Sequence, residues 1–128
     1  MSAMSNFLEN EILDHILRNS AYTPASTVFI GLSTGSFGDD NSGTELSGNG
    51  YTRKSIAFDA ASGGVSDNTN NVDFDQATGS WGSVSHFGLF DASTSGNLLI
   101  HGAFSAAKTV STGDILRIAA GELDITAA

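Results

Sequence analysis

The sequence contains no cysteine, only one proline and few basic residues. Without cysteine there are no disulfides, thiolate zinc sites or cysteine nucleophiles, so packing and association must stabilise the fold. Five basic residues against 14 acidic ones give a formal net charge of −9. This imbalance disfavours nucleic acids and anionic membranes as partners. Arg53 and Lys54 form the only adjacent basic pair, and we expect them to make local or intersubunit ion pairs.

Long apolar runs are also missing. Nothing approaches the roughly 20 consecutive apolar residues of a membrane helix, and the N-terminus lacks the basic region and apolar block of a secretory signal. We therefore expect a protein that is made in soluble form in the cytoplasm. With 40% hydrophobic and 15% charged residues over 128 positions, the chain suits one globular domain with one core.

Residues 6–19 have the periodicity of an amphipathic helix. Its apolar face is formed by Leu8, Ile12, Leu13, Ile16 and Leu17. Asn6 is the expected N-cap, with Glu9 as its capping-box partner. A helix this short needs a protein surface for its apolar face. We expect that face to pack on the chain's own sheet, and docking on a neighbouring subunit is the alternative.

From Thr27 onward the apolar residues alternate with period two, which is typical of strands. The pattern predicts seven strands: Thr27 to Leu32, Tyr51 to Phe58, Val72 to Phe74, Trp81 to Phe90, Leu98 to Phe104, Ile115 to Ile118 and Leu123 to Thr126. No helical segment lies between them, so parallel crossovers are not expected. The sequence therefore predicts a mostly β fold: an antiparallel β-sandwich or jelly roll over residues 21–128, with an N-terminal amphipathic helix in residues 1–20 that belongs to the same domain.

Two polar segments, residues 34–50 and 60–71, are expected to be long exposed loops. Both contain runs of oxygen-bearing side chains that resemble calcium ligands. Neither run fits the EF-hand loop, because Thr44 and Val72 occupy the sixth position, where glycine is required. We interpret both segments as solvated loops.

Ser85, His86 and Asp91 raise the question of a hydrolase triad. Adjacent residues on a strand point to opposite faces, and the chain lacks the G-x-S-x-G turn that exposes a nucleophile. His86 and His101 could face each other across a hairpin, but two imidazoles without a third ligand are a weak metal signal. We expect no catalytic residue, no metal site and no cofactor.

Aromatic residues offer a further hypothesis. Trp81 and Phe87 can share one strand face, because they are an even number of residues apart. Phe90 has the opposite parity, at an odd distance from both, so it would lie on the other face. Core packing is the expected role of these rings. An exposed ring would suit a sugar, and Trp81 and Tyr51 are the candidate glycan contacts.

The central block from Ala77 to Gly102 carries the most specific pattern, Trp-Gly-x-Val-x-His-Phe-Gly-Leu-Phe-Asp at positions 81–91. Further matching segments are Asn6 to Asn10, Leu13 to His15, Ala21 to Thr23, Thr27 to Val28, Gly48 to Arg53, Lys108 to Asp114 and Ala120 to Leu123. Together they resemble a small family of bacteriophage virion proteins that is usually labelled tail fibre protein. The resemblance implies a non-enzymatic structural component of the virion and brings no catalytic residues. Residues 35–39 depart from the Asp-Pro that the family often has there.

The chain lacks the heptads and short repeats of a long fibre shaft, and a domain of this length has a radius of gyration of about 14 Å. Among virion roles we therefore favour a capsid decoration, or cement, protein that stabilises the shell. A tail-fibre or tail-tip subunit is the alternative, and a glycan-binding module is a further one. The expected partners are other copies of the chain and the phage major capsid protein or tail proteins. The candidate contact residues are Leu8, Ile12, Ile16, Phe37 and Tyr51.

Overall fold

A computed structural model describes residues 2–127, which form nine β-strands and one α-helix. In chain order these are β1 (Ser2–Met4), α1 (Asn6–Leu17), β2 (Val28–Ser33), β3 (Lys54–Ile56), β4 (Val65–Asp67), β5 (Val72–Asp73), β6 (Gly82–Phe90), β7 (Leu98–Val110), β8 (Arg117–Ile118) and β9 (Asp124–Thr126). The predicted fold class, mostly β with one N-terminal helix, is confirmed.

Five strands form the main sheet in the order β1-β7-β6-β2-β3, and all neighbours are antiparallel. β6 and β7 are the central hairpin. Its turn is held by Asp91, whose carboxylate accepts from the backbone N–H of Asn97 at 2.7 Å and from its side-chain amide at 2.9 Å. Gly96 in this turn has a φ of 74°, which favours glycine. The predicted strands Trp81 to Phe90 and Leu98 to Phe104 are therefore antiparallel neighbours, in agreement with the predicted antiparallel fold.

The second layer consists of two separate strand pairs, β4–β9 and β5–β8. It is joined to the main sheet at both edges. Beyond β3, the N–H of Asp59 donates to the carbonyl of Asp67 at 2.9 Å. At the other edge, the hydroxyl of Ser2 accepts from the N–H of Thr126 at 3.1 Å. The two layers thus enclose one main core.

Side chains of both layers fill this main core. Its buried members are Ile30, Leu32, Ile56, Val72, Phe74, Ala77, Trp81, Val84, Phe87, Leu89, Val110, Leu116, Ile118 and Leu123. Phe104 packs against Phe87 with 5.5 Å between the ring centroids. It lies in a bulge where β7 carries residues 104–107 opposite the single residue Ser85 of β6. The bulge turns an aromatic ring towards the core and interrupts the regular alternation of β7.

A smaller cluster, formed by Phe37, Phe90 and Leu98, lies apart from the main core. Phe37 meets Phe90 edge-on at 5.6 Å between ring centroids. The cross-strand pair Gly31 and Gly88 leaves room beneath the ring of Phe90, because a methyl group on either glycine would lie 3.0 Å from that ring. Phe87 and Phe90 therefore belong to different clusters, as their opposite parity predicts.

Several predicted boundaries were wrong. β1 and β4 were not predicted, because neither contains or adjoins two large apolar residues that are two positions apart, so the chain shows no period there. β7 extends beyond Phe104 to Val110, and the predicted strand from Tyr51 to Phe58 retains only the three residues of β3.

The two polar segments are also more ordered than expected. Phe37 of the first is 1% exposed. In the second, Asn68 is equally buried and its amide replaces strand hydrogen bonds: Nδ2 donates to Asn70 O at 2.9 Å, and Oδ1 accepts from Leu123 N at 2.9 Å. A buried amide is tolerated when its polar atoms are bonded in this way.

Gly88→Ala tests the close approach of Phe90 to the main sheet. The added methyl group would lie 2.9 Å from Leu98 Cδ1 and 3.2 Å from the ring of Phe37. We expect overpacking to lower the free energy of unfolding by about 1–3 kcal/mol, measured by urea denaturation. Gly35→Ala is the matched control, because no heavy atom lies within 4 Å of its Cβ position. Equal effects of the two variants would contradict this account.

Asp67→Asn tests a like-charge pair across β4 and β9, where Asp67 lies opposite Asp124. A hydrogen bond with Asp124, then desolvation and the charges of Asp124 and Asp59, raise the pKa of Asp67. The folded chain therefore holds this proton more tightly than the unfolded chain, and it loses stability as the pH rises through the folded pKa. We expect the variant to melt at a higher temperature than wild type at neutral pH.

This advantage should vanish below the ordinary aspartate pKa of about 3.9, where both states of the wild-type chain are protonated. Glu9→Gln removes a carboxylate outside the pair and should show no comparable gain. An Asp67→Asn advantage that persists unchanged at low pH would exclude charge repulsion as its cause.

Candidate functional site

α1 begins directly after β1, and Ser5 is its N-cap. The Ser5 hydroxyl accepts from the N–H of Leu8 at 3.2 Å and donates to the carbonyl of Leu98. The Ser5 N–H donates to Leu99 O at 2.8 Å, and the N–H of Asn6 donates to Asp39 O at 2.9 Å. Asn6 is thus the first helical residue. The predicted Asn6–Glu9 capping box is wrong, because Ser5 is the capping residue.

These bonds also set the rotation of α1 about its own axis. The half-buried side of the helix carries Phe7, Leu8, Glu11 and Asp14, and no residue of α1 is fully buried. The large apolar residues of the opposite side face solvent: Ile12 is 36% exposed, Leu13 54%, Ile16 69% and Leu17 74%. We call these four residues the exposed stripe. The expectation that the apolar face packs on the chain's own sheet is therefore wrong for all but Leu8.

Leu8 connects the exposed stripe to an apolar groove of about 230 Å³. The other residues that line the groove are Val28, Phe58, Ser66, Leu89, Leu99, Ile100 and Ile125. They come from both layers of the fold, so the groove is a gap in the packing between them. Leu13 and Leu17, which were not among the predicted contacts, are more exposed than Leu8 and Ile12. Periodicity identified them as apolar but gave no indication of which way they face.

The C-terminal end of α1 is fixed by Asp14, whose carbonyl accepts from the N–H groups of Arg18 at 3.0 Å and Ser20 at 3.1 Å. Tyr22 follows this turn. Burial, and after it the carboxylates of Asp91 and Glu11, raise the pKa of Tyr22. The flank of α1 is therefore acidic. α1 is not long and apolar enough to span a membrane.

Arg53 forms a partly buried polar network beside the smaller cluster. Its guanidinium makes two hydrogen bonds to Glu45, Nη2 to Oε1 at 2.7 Å and Nε to Oε2 at 2.9 Å. Nη1 donates to the carbonyls of Ala92 at 2.9 Å and Ser95 at 2.8 Å. The guanidinium carbon lies 3.6 Å from the centroid of the Phe90 ring, a cation–π geometry. With a side chain only 8% exposed, Arg53 joins the first polar segment to the β6–β7 turn.

Tyr51 is part of the same network. Its hydroxyl donates to Glu45 and accepts from the N–H of Leu32 at 2.9 Å. Burial, and after it the hydrogen bond to Glu45, raise the pKa of Tyr51 strongly. Its ring lies edge-on to Trp81 at 5.5 Å between centroids and stacks with Phe74 at 6.2 Å. The hydroxyl of Tyr51 is thus fixed as a structural hydrogen-bonding group.

Other predicted contact residues lie inside the fold. Trp81 is 5% exposed, and its indole N–H donates to Asn49 O at 2.8 Å. Its ring therefore does not offer a surface platform for a sugar. Phe37 is likewise enclosed in the smaller cluster, so it does not offer a protein contact in this fold. Of the predicted protein contacts, Ile12 and Ile16 lie in the exposed stripe.

His86 and His101 each contact a different polar side chain. Ser85 Oγ lies 2.7 Å from His86 Nδ1, so the expectation that these neighbours point to opposite faces is wrong at this bulge. His101 Nε2 lies 2.7 Å from Asp39 Oδ1. The carboxylate of Asp91 is bonded to Asn97 in the hairpin turn. Across residues 2–127, no three His, Asp or Glu side chains are grouped to hold a metal ion.

All five Lys and Arg residues form ion pairs within the chain. The pairs are Arg18–Asp14, Arg53–Glu45, Lys54–Asp75, Lys108–Glu122 and Arg117–Asp73. The expectation of local ion pairs for Arg53 and Lys54 is thus confirmed. Since the chain has 14 acidic residues, nine carboxylates within residues 2–127 lack a Lys or Arg partner.

Comparison with protein families matches residues 3–126 to the family described as Podophage GP4 fiber I protein gp80. The match includes α1, the main sheet and both strand pairs. A comparison with curated proteins gave no match.

Arg53→Met tests the contribution of the buried network to stability. The variant leaves Glu45 without its cationic partner and removes the guanidinium from Phe90. We expect a loss of about 3 kcal/mol in the free energy of unfolding, measured by chemical denaturation. The matched control is Lys54→Met, which breaks a more exposed ion pair with Asp75 and should cost about 0–1 kcal/mol. Similar losses for both variants would show that burial of Arg53 adds nothing.

Proposed function

This chain belongs to the family described as podophage GP4 fiber I protein gp80, and on that premise we propose that it is a non-enzymatic structural subunit of a bacteriophage tail fibre. The observation that carries the proposal is the family match over residues 3–126. The family description names a fiber protein. It therefore favours the tail-fibre alternative over the capsid decoration role that the sequence alone led us to expect.

The two layers of strands enclose one main core, which supports a role as a globular unit of the fibre rather than as its shaft. The exposed stripe of α1 lies outside the core. In this proposal the β-strand layers provide a stable body, and the exposed stripe is the surface through which the subunit associates with another virion protein.

The internal bonding of the polar side chains supports a structural role over an enzymatic one. Arg53, Glu45 and Tyr51 bond to one another and to backbone groups. These bonds connect segments that are distant in the sequence. Their function in this proposal is to hold the loops in place.

Labelling of purified virions tests the proposed location. Gold-labelled antibodies against this chain should decorate the tail, and antibodies against the major capsid protein should decorate the head of the same particles. Electron microscopy of negatively stained virions is the measurement. Label on the capsid shell would reverse the order of the two roles and restore decoration as the better proposal. Absence of the chain from purified virions would contradict both.

A further inference from the structure

Three asparagine residues of this chain adopt a left-handed backbone conformation in exposed turns. The φ angles of Asn19, Asn41 and Asn49 are 53°, 57° and 53°, and all three residues are exposed. An asparagine loses its side-chain amide without an enzyme when the backbone nitrogen of the next residue attacks its side-chain carbonyl carbon. The bonding of that nitrogen therefore distinguishes the three positions.

The following nitrogen is already engaged at two of these positions. The N–H of Ser20 donates to Asp14 O at 3.1 Å, and the N–H of Ser42 donates to Asp40 Oδ1 at 3.1 Å. The N–H of Gly50, in contrast, has no hydrogen-bond partner within residues 2–127. Glycine also leaves its nitrogen unhindered, because it carries no side chain. The asparagine before Gly50 is therefore the one whose neighbour is available for the attack.

The turn itself requires the reactive dipeptide. It is closed by the N–H of Tyr51, which donates to Gly48 O at 3.0 Å. Positive φ at both central residues, 53° at Asn49 and 82° at Gly50, is characteristic of a type I′ turn, which favours Asn-Gly. A methyl group on Gly50 would lie 2.9 Å from Gln76 O. The fold thus places here the dipeptide whose side-chain amide is chemically least stable.

Hydrogen bonds restrain the same peptide group. The carbonyl of Asn49 accepts from the indole N–H of Trp81 at 2.8 Å and from the N–H of Thr78 at 3.0 Å. This carbonyl and the Gly50 nitrogen share one planar peptide group. In the left-handed conformation the nitrogen points away from Cβ of Asn49. Ring closure has to rotate the peptide group, so it has to break both bonds first.

We propose that Asn49 is a site of spontaneous deamidation, and that local opening of its turn, restrained by Trp81, sets the rate. The Gly50 nitrogen forms a bond to Cγ of Asn49 and loses its proton, and Nδ2 leaves as ammonia. Water then opens the resulting succinimide at one of its two carbonyls, which gives aspartate or isoaspartate. This inference does not depend on the proposed function.

Both products weaken the anchor of the turn. Isoaspartate lengthens the main chain by one CH₂ group and turns the former backbone carbonyl into a free carboxylate. Aspartate replaces Nδ2, which donates to Ser80 O at 3.2 Å, with an acceptor that faces another acceptor. Each product also adds one negative charge to the formal net charge of −9. The deamidated chain, separated by ion exchange, should therefore melt at a lower temperature than the unmodified chain.

Peptide mapping by mass spectrometry tests the proposal on the full chain, incubated in mildly alkaline buffer with and without denaturing urea. In the folded chain, conversion should be fastest at Asn49 and slower at Asn19 and Asn41. The rate at Asn49 should be at least about tenfold lower in the folded chain than in the unfolded chain, because only the open fraction reacts. Faster conversion at Asn19 or Asn41, an equal rate in both states, or no conversion of the folded chain at Asn49 would overturn the proposal.

Two variants separate the indole bond from general stability. Trp81→Phe removes the N–H donor and should raise the rate at Asn49 about threefold or more. Phe74→Leu is the matched control, because Phe74 packs beside Trp81 in the same core but makes no bond to the turn, and it should leave the rate unchanged. An equal rise in both variants would overturn the role of the indole.

Urea at concentrations well below the unfolding transition separates local from global opening. Opening of one turn exposes little surface, so the rate at Asn49 should stay nearly constant in wild type and in both variants. A rate that rises with urea as steeply as the equilibrium for global unfolding would overturn the turn as the controlling element.

Discussion

The partly buried ion pair between Arg53 and Glu45 is the interaction on which the arrangement of the loops depends. Gly31 and Gly88 let the ring of Phe90 lie close to the main sheet, and that ring supplies a flat surface for the guanidinium. A guanidinium suits this place because it bonds a carboxylate and two carbonyls in one plane. The pair thus holds a polar segment, a hairpin turn and an aromatic cluster together.

The same network closes one end of the main core. Glu45 also accepts the hydroxyl of Tyr51, which in turn accepts the N–H of Leu32. That amide would otherwise lack a strand partner, because the paired residues of β2 and β3 end at Ile30 and Lys54. Side chains therefore continue the hydrogen bonding where the backbone ladder stops, and a long polar segment becomes part of a stable body.

The sequence predicted the features that depend on local pattern. Alternation identified β6 and β7, and the opposite parity of Phe87 and Phe90 placed them in different clusters. The sequence did not predict that Arg53 pairs with Glu45, because this contact depends on the path of the polar segment 34–50, which no local pattern defines. The orientation of α1 was missed for a similar reason: periodicity defines an apolar face, whereas three hydrogen bonds at Ser5 and Asn6 decide where that face points.

The exposed stripe raises a question of solubility, because apolar side chains on a protein surface favour self-association. The internal pairing of all five basic residues leaves nine carboxylates within residues 2–127 without a Lys or Arg partner, and Glu9 and Glu11 of α1 are among them. The net charge of −9 opposes unspecific association between copies of the chain. The ion pairs thus also determine the charge that the folded chain presents at its surface, because each of them neutralises one of the few cations.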